Sequence, residues 1–108
     1  EVDYGFVGDV KQVNAAFLAD LIHKGVVPVM APLTHDGEGH MLNTNADTIA
    51  GETAKALAGL FDVTLVFCFE KKGVLRDEND DDSVIPQITP EEFKLYVADG
   101  VIQGGMIT

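Results

Sequence analysis

Three polar side chains stand at alternate positions just before a helix-forming run of small residues. They are Asn43, Asn45 and Asp47, and the run from Thr48 to Leu60 that follows is rich in alanine and glycine. The free backbone N–H groups in the first turn of a helix attract anions, and amide side chains beside them bind carboxylates without adding charge repulsion. The spacing therefore predicts the edge of an active site. Helix capping alone is the structural alternative, because the same residue types are common caps.

The composition restricts the classes of protein that fit the sequence. The chain has 108 residues, 46% of them hydrophobic, which allows one modest core. Its net charge of −11 disfavours binding to nucleic acids or anionic membranes, because both need clustered cations. No apolar run approaches the ~20 residues that cross a bilayer. The single cysteine, Cys68, argues against a disulfide framework and favours a reducing compartment, and its apolar neighbours predict that it is buried.

Hydrophobic periodicity predicts strands that alternate with helices. The predicted strands are a short hairpin strand at Tyr4–Val10 and two apolar strands at Val26–Leu33 and Val63–Phe69. The predicted helices are Ala15–Lys24 with Asn14 as its cap and Gly25 at its end, Asp47–Leu60, and a helix from Thr89 to about Asp99. The second strand is weakened by Pro28 and Pro32, which cannot donate to a ladder. This alternation predicts an α/β fold with a parallel sheet, and the likeliest domain boundary lies near Phe61-Asp62.

The third helix has the clearest start signal in the chain. Thr89 is a cap residue, Pro90 suits the first helical position, and Glu92 completes a capping box. Gly100 follows the predicted end. Before this helix, Lys71-Lys72-Gly73 predicts a turn and Arg76 to Ser83 a charged loop.

Two groups of residues resemble metal sites, but only weakly. The predicted polar loop 34–40 holds four potential ligands, His35, Asp36, Glu38 and His40. Two histidines five apart on a glycine-containing loop are more typical of a polar surface. The acidic run 77–82 has oxygen ligands at its first, third and fifth positions, yet Asp82 and Ile88 stand where an EF-hand needs glycine and glutamate. We therefore expect no metal ion held by protein ligands in either group.

Five short motifs follow one another along the chain. They are Val7-Gly8-Asp9-Val10, Gly25 to Val29, Asn43 to Asp47, Gly73-Val74-Leu75, and Val101 to Ile107. In this order, with Asn-x-Asn-Ala-Asp in the middle, they closely resemble the N-acetylglutamate kinase family of the amino acid kinase superfamily. The resemblance covers essentially the whole chain and implies a partial three-layer αβα sandwich with a mainly parallel sheet. Residues 1–61 would be the C-terminal part of the acyl-amino-acid-binding lobe, and residues 62–108 the beginning of the nucleotide-binding lobe.

The resemblance implies ATP-dependent phosphorylation of the side-chain carboxylate of N-acetyl-L-glutamate, a step of arginine biosynthesis in the cytoplasm. Asp47 would be the catalytic carboxylate that organises two lysines, and Asn43 and Asn45 would bind the substrate. The residues implied to bind the nucleotide are Glu70, Lys71, Lys72, Gly73, Val74, Leu75, Val101, Ile102 and Gln103. Mg²⁺ would bind through the ATP phosphates, and the complete protein would be a dimer or a ring of dimers. The acceptor is already a carboxylate, so the reaction needs alignment and positive charge but no general base.

The sequence also departs from the family pattern. The family's N-terminal lysine, paired-glycine phosphate loop and substrate-binding arginine are not in this chain, and its second catalytic lysine would fall just beyond Ile107. Glu70-Lys71-Lys72 stands where the family usually has Thr or Ser followed by Asp. The alternatives left open are a kinase of another acyl-glutamate such as N-succinyl-glutamate, another amino acid kinase, and a non-catalytic binding module with the same fold.

We predict that the 108-residue segment is inactive by itself, because the cations that neutralise the transferred phosphoryl group lie in the missing motifs. The measurement is acyl phosphate formation by the purified segment with ATP, Mg²⁺ and N-acetyl-L-glutamate. Any turnover above the protein-free rate would contradict this prediction.

Overall fold

The computed structural model describes residues 2–107, with only the backbone described for Gly105 and Met106. These residues form two compact units, and the division in the sequence lies between Val66 and Phe67. No helix in the described part of the chain is long and apolar enough to cross a membrane. Position 108, next to the predicted place of the second catalytic lysine, lies outside the described residues.

The first unit contains two helices and one hairpin. Its elements are α1 (Ala15–His23), β1 (Leu33–His35), β2 (Met41–Asn43) and α2 (Ala46–Leu57). β1 and β2 are antiparallel, with Leu33 opposite Asn43 and His35 opposite Met41. The hairpin turn has Gly37 at φ +79° and Gly39 at φ +93°, a conformation that side chains disfavour. Part of the predicted polar loop 34–40 is therefore a hairpin.

The first helix begins where the sequence predicts, and the second begins within one residue of its predicted start. The Asn14 side chain accepts a hydrogen bond from the Phe17 N–H at 3.1 Å, and α1 ends before Gly25, whose φ is +78°. Both features are the predicted cap and stop signals. α2 starts one residue before its predicted start and ends at Leu57 rather than Leu60. α1 contacts α2, and the buried apolar side chains of this unit are Leu18, Ala19 and Ile49.

The second unit is built on helix α3 (Pro90–Ala98) and a short 3₁₀ helix (Gly104–Ile107). The predicted capping box is confirmed: the Thr89 hydroxyl accepts from the Glu92 N–H at 3.2 Å, and the Thr89 N–H donates to the Glu92 carboxylate at 2.8 Å. Before the helix, Leu75 and Val84 form an antiparallel bridge that closes the charged loop. The buried apolar side chains of this unit are Leu75, Ile85 and Ile102.

The three predicted strands are wrong for the described structure. In Tyr4–Val10 only Val7 pairs, and it forms a parallel bridge with Asn43 instead of a hairpin. Val26–Leu33 joins a ladder only at Leu33, while Val27 and Val29 are 83% and 94% exposed. Val63–Phe69 has no strand pairing, and Cys68 is exposed, not buried.

The reason for this difference is the absence of neighbouring strands within residues 2–107. A strand of a parallel sheet is stable only when its N–H and C=O groups pair on both sides and helices cover both faces. The described residues offer these segments no such partners, and Pro28 and Pro32 also remove two donors from the second segment. The one sheet in the described chain is the antiparallel β1–β2 hairpin, so the predicted parallel sheet is not present there.

Candidate functional site

The predicted polar cluster lies at the junction of β2 and α2. Asn43 is the last residue of β2, Asn45 is the cap of α2, and Asp47 lies in the first turn of that helix. The structure therefore places all three predicted residues within one strand-to-helix connection. Their positions follow from the chain itself, since only Thr44 and Asn45 separate β2 from α2.

The backbone of Asn43 is held on two sides. On one side it is paired with Leu33 of β1. On the other side its N–H donates to the Phe6 carbonyl at 2.9 Å, and its carbonyl accepts from the Gly8 N–H at 2.8 Å. Its side chain is exposed and forms no hydrogen bond with any residue between 2 and 107. The side-chain amide of Asn43 is therefore a donor and acceptor that no described residue uses, on a backbone that is hydrogen-bonded to segment 6–8.

Thr44 is a buried polar residue that sequence reasoning did not single out. Its hydroxyl lies 2.8 Å from the hydroxyl of Thr34, and its N–H donates to the Pro32 carbonyl at 3.1 Å. The side chain is only 8% exposed, so both contacts are shielded from water. Thr44 thus fixes the turn between the strand and the helix. Its position between two asparagines gave no signal of this role, because the partner lies ten residues away.

Asn45 and Asp47 differ in how the helix uses them. The Asn45 side-chain oxygen accepts from the Thr48 N–H at 3.0 Å and lies 3.4 Å from the Thr48 hydroxyl. This is the geometry of the capping alternative. Asp47 is exposed and has no hydrogen bond or ion pair within the described chain. Its charge suits the first turn of a helix, and its carboxylate is open to a cationic partner.

The tip of the hairpin brings three potential ligands together. One ligand atom each from Asp36, Glu38 and His40 lies within 4.8 Å of the others, and all three residues are exposed. The Asp36 carboxylate accepts from the Glu38 N–H at 2.7 Å and contacts the His40 ring nitrogen at 2.6 Å. The His40 ring also stacks on Phe6, with 6.0 Å between ring centroids. In this geometry the Asp36 carboxylate stabilises the hairpin turn through its contacts with Glu38 and His40.

The hydrogen bonds of the turn also act on the ionisation of Asp36. Its pKa lies below the ordinary value of 3.8, chiefly because the Glu38 N–H donates to the charged carboxylate. The His40 side chain lowers the pKa in the same direction.

The two lysines of the predicted nucleotide turn are paired with the acidic loop. Lys71 lies 3.1 Å from the Asp81 carboxylate, and Lys72 lies 3.0 Å from that of Asp82. All four side chains are about half exposed or more, so these are weak surface pairs. Sequence reasoning assigned the acidic loop to solvent and did not foresee its pairing with the turn. Each lysine is ten residues before its aspartate, and this equal spacing is the sequence feature that could have indicated the two ion pairs.

The other predicted nucleotide residues divide into buried and exposed ones. Leu75 and Ile102 are 1% exposed, so their side chains belong to the core and only their backbone groups are left for a ligand. The Val101 and Ile102 N–H groups donate to the Tyr96 carbonyl at 2.9 and 3.1 Å. The Gln103 amide donates to the Gly100 carbonyl at 2.7 Å. The remaining predicted residues, Glu70, Gly73 and Val74, lie on either side of the paired lysines.

Comparison with known proteins identifies what this chain is similar to. A sequence profile described as the amino acid kinase family matches residues 1–108. An acetylglutamate kinase of Bacteroides thetaiotaomicron is 86% identical over 107 residues, which are 99% of this chain and 42% of that protein. Proteins of the same name from Parabacteroides distasonis and Methanocella arvoryzae are 77% and 44% identical, over 99% and 98% of this chain and 42% and 34% of their own lengths. The matches confirm the resemblance, and the chain spans about two fifths of the first of these relatives.

We predict that the Asp36 carboxyl titrates below 3.8 in the folded protein, because the Glu38 N–H stabilises its charged form. Because the pKa of Asp36 is lower in the folded than in the unfolded protein, its ionisation stabilises the folded state, and this contribution is complete at pH values above the unfolded pKa. It is lost as the pH falls through the folded pKa. An NMR titration of the side-chain carboxyl carbon measures the midpoint.

The matched variant is His40→Ala, which removes the ring but keeps the Glu38 N–H. Its Asp36 midpoint should also lie below 3.8, because the largest cause of the shift remains. A midpoint at or above 3.8 in the unsubstituted protein would show that the turn hydrogen bonds do not favour the carboxylate.

Proposed function

This chain belongs to the amino acid kinase family, and from that premise we propose that the complete protein phosphorylates N-acetyl-L-glutamate. The observation that carries the proposal is the strand-to-helix junction that brings Asn43, Asn45 and Asp47 together. No described residue bonds to the Asn43 amide or to the Asp47 carboxylate. The name acetylglutamate kinase, carried by a relative that is 86% identical over 107 residues of this chain, supports the choice of substrate. The product feeds arginine biosynthesis in this proposal.

The proposed reaction is a phosphoryl transfer between two oxygens. A side-chain carboxylate oxygen of the substrate forms a bond to the γ-phosphorus of ATP, while the bond from that phosphorus to the β,γ-bridging oxygen breaks. ADP leaves with the electron pair, and the products are an acyl phosphate and ADP. No proton moves, so the protein must align the two oxygens and neutralise charge.

Asn43 and Asn45 are proposed to bind the acyl-amino acid. The substrate is anionic, and the chain already carries a charge of −11, so uncharged amide donors avoid further repulsion. The Asn43 side chain is free of partners among the described residues, and its backbone N–H and C=O are both hydrogen-bonded to segment 6–8. The Asn45 oxygen caps α2, which leaves its NH₂ group as the donor for a ligand.

Asp47 is proposed to organise two lysines around the transferring phosphoryl group. A carboxylate cannot stabilise that group directly, because both are negative. Placed between two ammonium groups, it fixes their positions and so acts on the transition state through them. The lysines belong to family segments outside this chain, and the acidic balance of the segment agrees with cations supplied from there.

The nucleotide is proposed to bind to the second unit, at residues 70–75 and 101–103. Glu70 is exposed, and a carboxylate at that position accepts hydrogen bonds from ribose hydroxyls. Leu75 and Ile102 contribute through the backbone, since their side chains are buried. Mg²⁺ would bind through the nucleotide and neutralise part of the phosphate charge, and we propose no residue of this chain as its ligand.

The α/β class follows from the family match, and we propose that the complete protein is a three-layer αβα sandwich with a mainly parallel sheet. The exposed apolar segments 26–31 and 63–66 are proposed to become sheet strands in it. An apolar groove of about 350 Å³ between these segments and α2 supports this, since its lining includes Met30, Ile49, Ala50 and Leu65. The two lobes divided at residues 61 and 62, a homo-oligomer built of dimers and a cytoplasmic location belong to the same proposal.

We predict that Asp47→Asn in the complete protein lowers kcat by about 10²-fold or more, because the lysines lose the charge that positions them. The fold and the KM for N-acetyl-L-glutamate should change little, since Asp47 has no partner within the described residues. Glu78→Gln is the matched control: it makes the same carboxylate-to-amide change at an exposed loop position outside the proposed site.

Steady-state kinetics with a hydroxylamine trap for the acyl phosphate gives both constants. Equal kcat values for the Asp47→Asn variant and the Glu78→Gln control would reject the role of Asp47. A Glu78→Gln variant that also lost activity would show that the acidic charge itself, and not the position of Asp47, is what matters.

A further inference from the structure

Gly8 lies unusually close to the hairpin that carries Asn43. A Cβ atom placed on Gly8 would be 2.8 Å from the Leu42 Cβ and 2.8 Å from the Thr34 hydroxyl oxygen. Contacts below 3.0 Å do not occur between such atoms in folded proteins, so any side chain would push the backbone away. The Leu42 Cβ cannot move aside, because it is attached directly to the backbone of β2. Residue 8 must therefore be glycine for this approach to exist.

The close approach has a direct consequence for Asn43. It brings the Gly8 N–H to 2.8 Å from the Asn43 carbonyl and the Phe6 carbonyl to 2.9 Å from the Asn43 N–H. These two bonds make residues 6–8 a second strand-like neighbour of β2, beside β1. A displacement at Gly8 acts on both bonds at once, because they belong to the same parallel bridge between Val7 and Asn43.

The same contact also reaches the start of α2. A side chain at residue 8 would strike the Thr34 hydroxyl as well as Leu42. The Thr34 hydroxyl lies 2.8 Å from the hydroxyl of the buried residue Thr44. Thr44 fixes the turn from β2 into α2. A shift of Thr34 would therefore be passed to the turn that carries Asn43 on one side and Asn45 on the other.

We infer that Gly8 is a positioning residue for the acyl-amino-acid site, acting through the backbone of Asn43. The inference rests on the proposed function. The Asn43 side chain has no hydrogen bond within residues 2–107, so the backbone, which sets the position of its Cβ, is what places the amide near the substrate. A backbone shift of a few tenths of an ångström at Asn43 thus changes substrate contact without removing any group that touches the substrate.

The test compares Gly8→Ala with Gly59→Ala in the complete protein. A Cβ at Gly59 meets no atom within 4 Å, and its φ is not in the left-handed region, so this variant controls for the change of residue type. We expect the KM for N-acetyl-L-glutamate to rise about 10-fold or more in Gly8→Ala, with the KM for ATP unchanged. A purely structural role would lower thermal stability and affect both substrates alike.

A second measurement covers the case in which Gly8→Ala does not fold. In the unsubstituted protein, N-acetyl-L-glutamate should slow hydrogen exchange of the Asn43 and Gly8 amides, while ATP alone should not. An unchanged exchange rate, or a KM in Gly8→Ala equal to that of Gly59→Ala, overturns the inference. If the unsubstituted protein neither binds nor phosphorylates N-acetyl-L-glutamate, the proposed function itself fails, and this inference fails with it.

Discussion

The two backbone hydrogen bonds that join Asn43 to Phe6 and Gly8 are the interaction on which the candidate site depends. Segment 6–8 is bonded to Asn43 on one side, and on the other side Leu33 of β1 lies opposite it, so the last residue of a three-residue strand has a neighbouring segment on each side. The buried contact between Thr34 and Thr44 then carries this order into the first turn of α2. An ordered backbone lowers the entropy that a binding residue loses when a ligand arrives, because only its side chain remains to be fixed.

The first unit also contains apolar segments that pair with no strand in the described structure. Residues 26–31 and 63–66 have the composition of inner strands, yet Val27 and Val29 are largely exposed. Apolar surface of this extent is costly in water, and the chain spans about two fifths of its relatives. In the proposed αβα sandwich, strands from the rest of the protein would cover these segments. The small residues of α2 fit this proposal, since they let a helix lie close to the sheet that it covers.

The sequence predicted the features that depend on local chemistry. The caps Asn14 and Thr89 form as expected, because capping needs only residues three or four positions apart. The strands failed for the opposite reason: pairing requires distant partners, which periodicity cannot reveal. The junction of Asn43, Asn45 and Asp47 was found from spacing, whereas the contacts of Gly8 with Asn43 and of Thr44 with Thr34 span 35 and 10 residues and cannot be read from local spacing. The burial of Cys68 was predicted from its apolar neighbours and is wrong for the same reason, because residues 63–69 do not pair as a strand in the described structure.

The most direct measurement is the substrate requirement of the complete protein. Acyl phosphate is trapped with hydroxylamine in the presence of ATP and Mg²⁺, with N-acetyl-L-glutamate, N-succinyl-L-glutamate, L-glutamate and L-aspartate compared at equal concentrations. We expect trapped product with N-acetyl-L-glutamate far above that with the other three acceptors. Faster reaction with N-succinyl-L-glutamate would transfer the proposal to that acyl group. No product with any acceptor would contradict the assignment of this cluster to a carboxylate kinase.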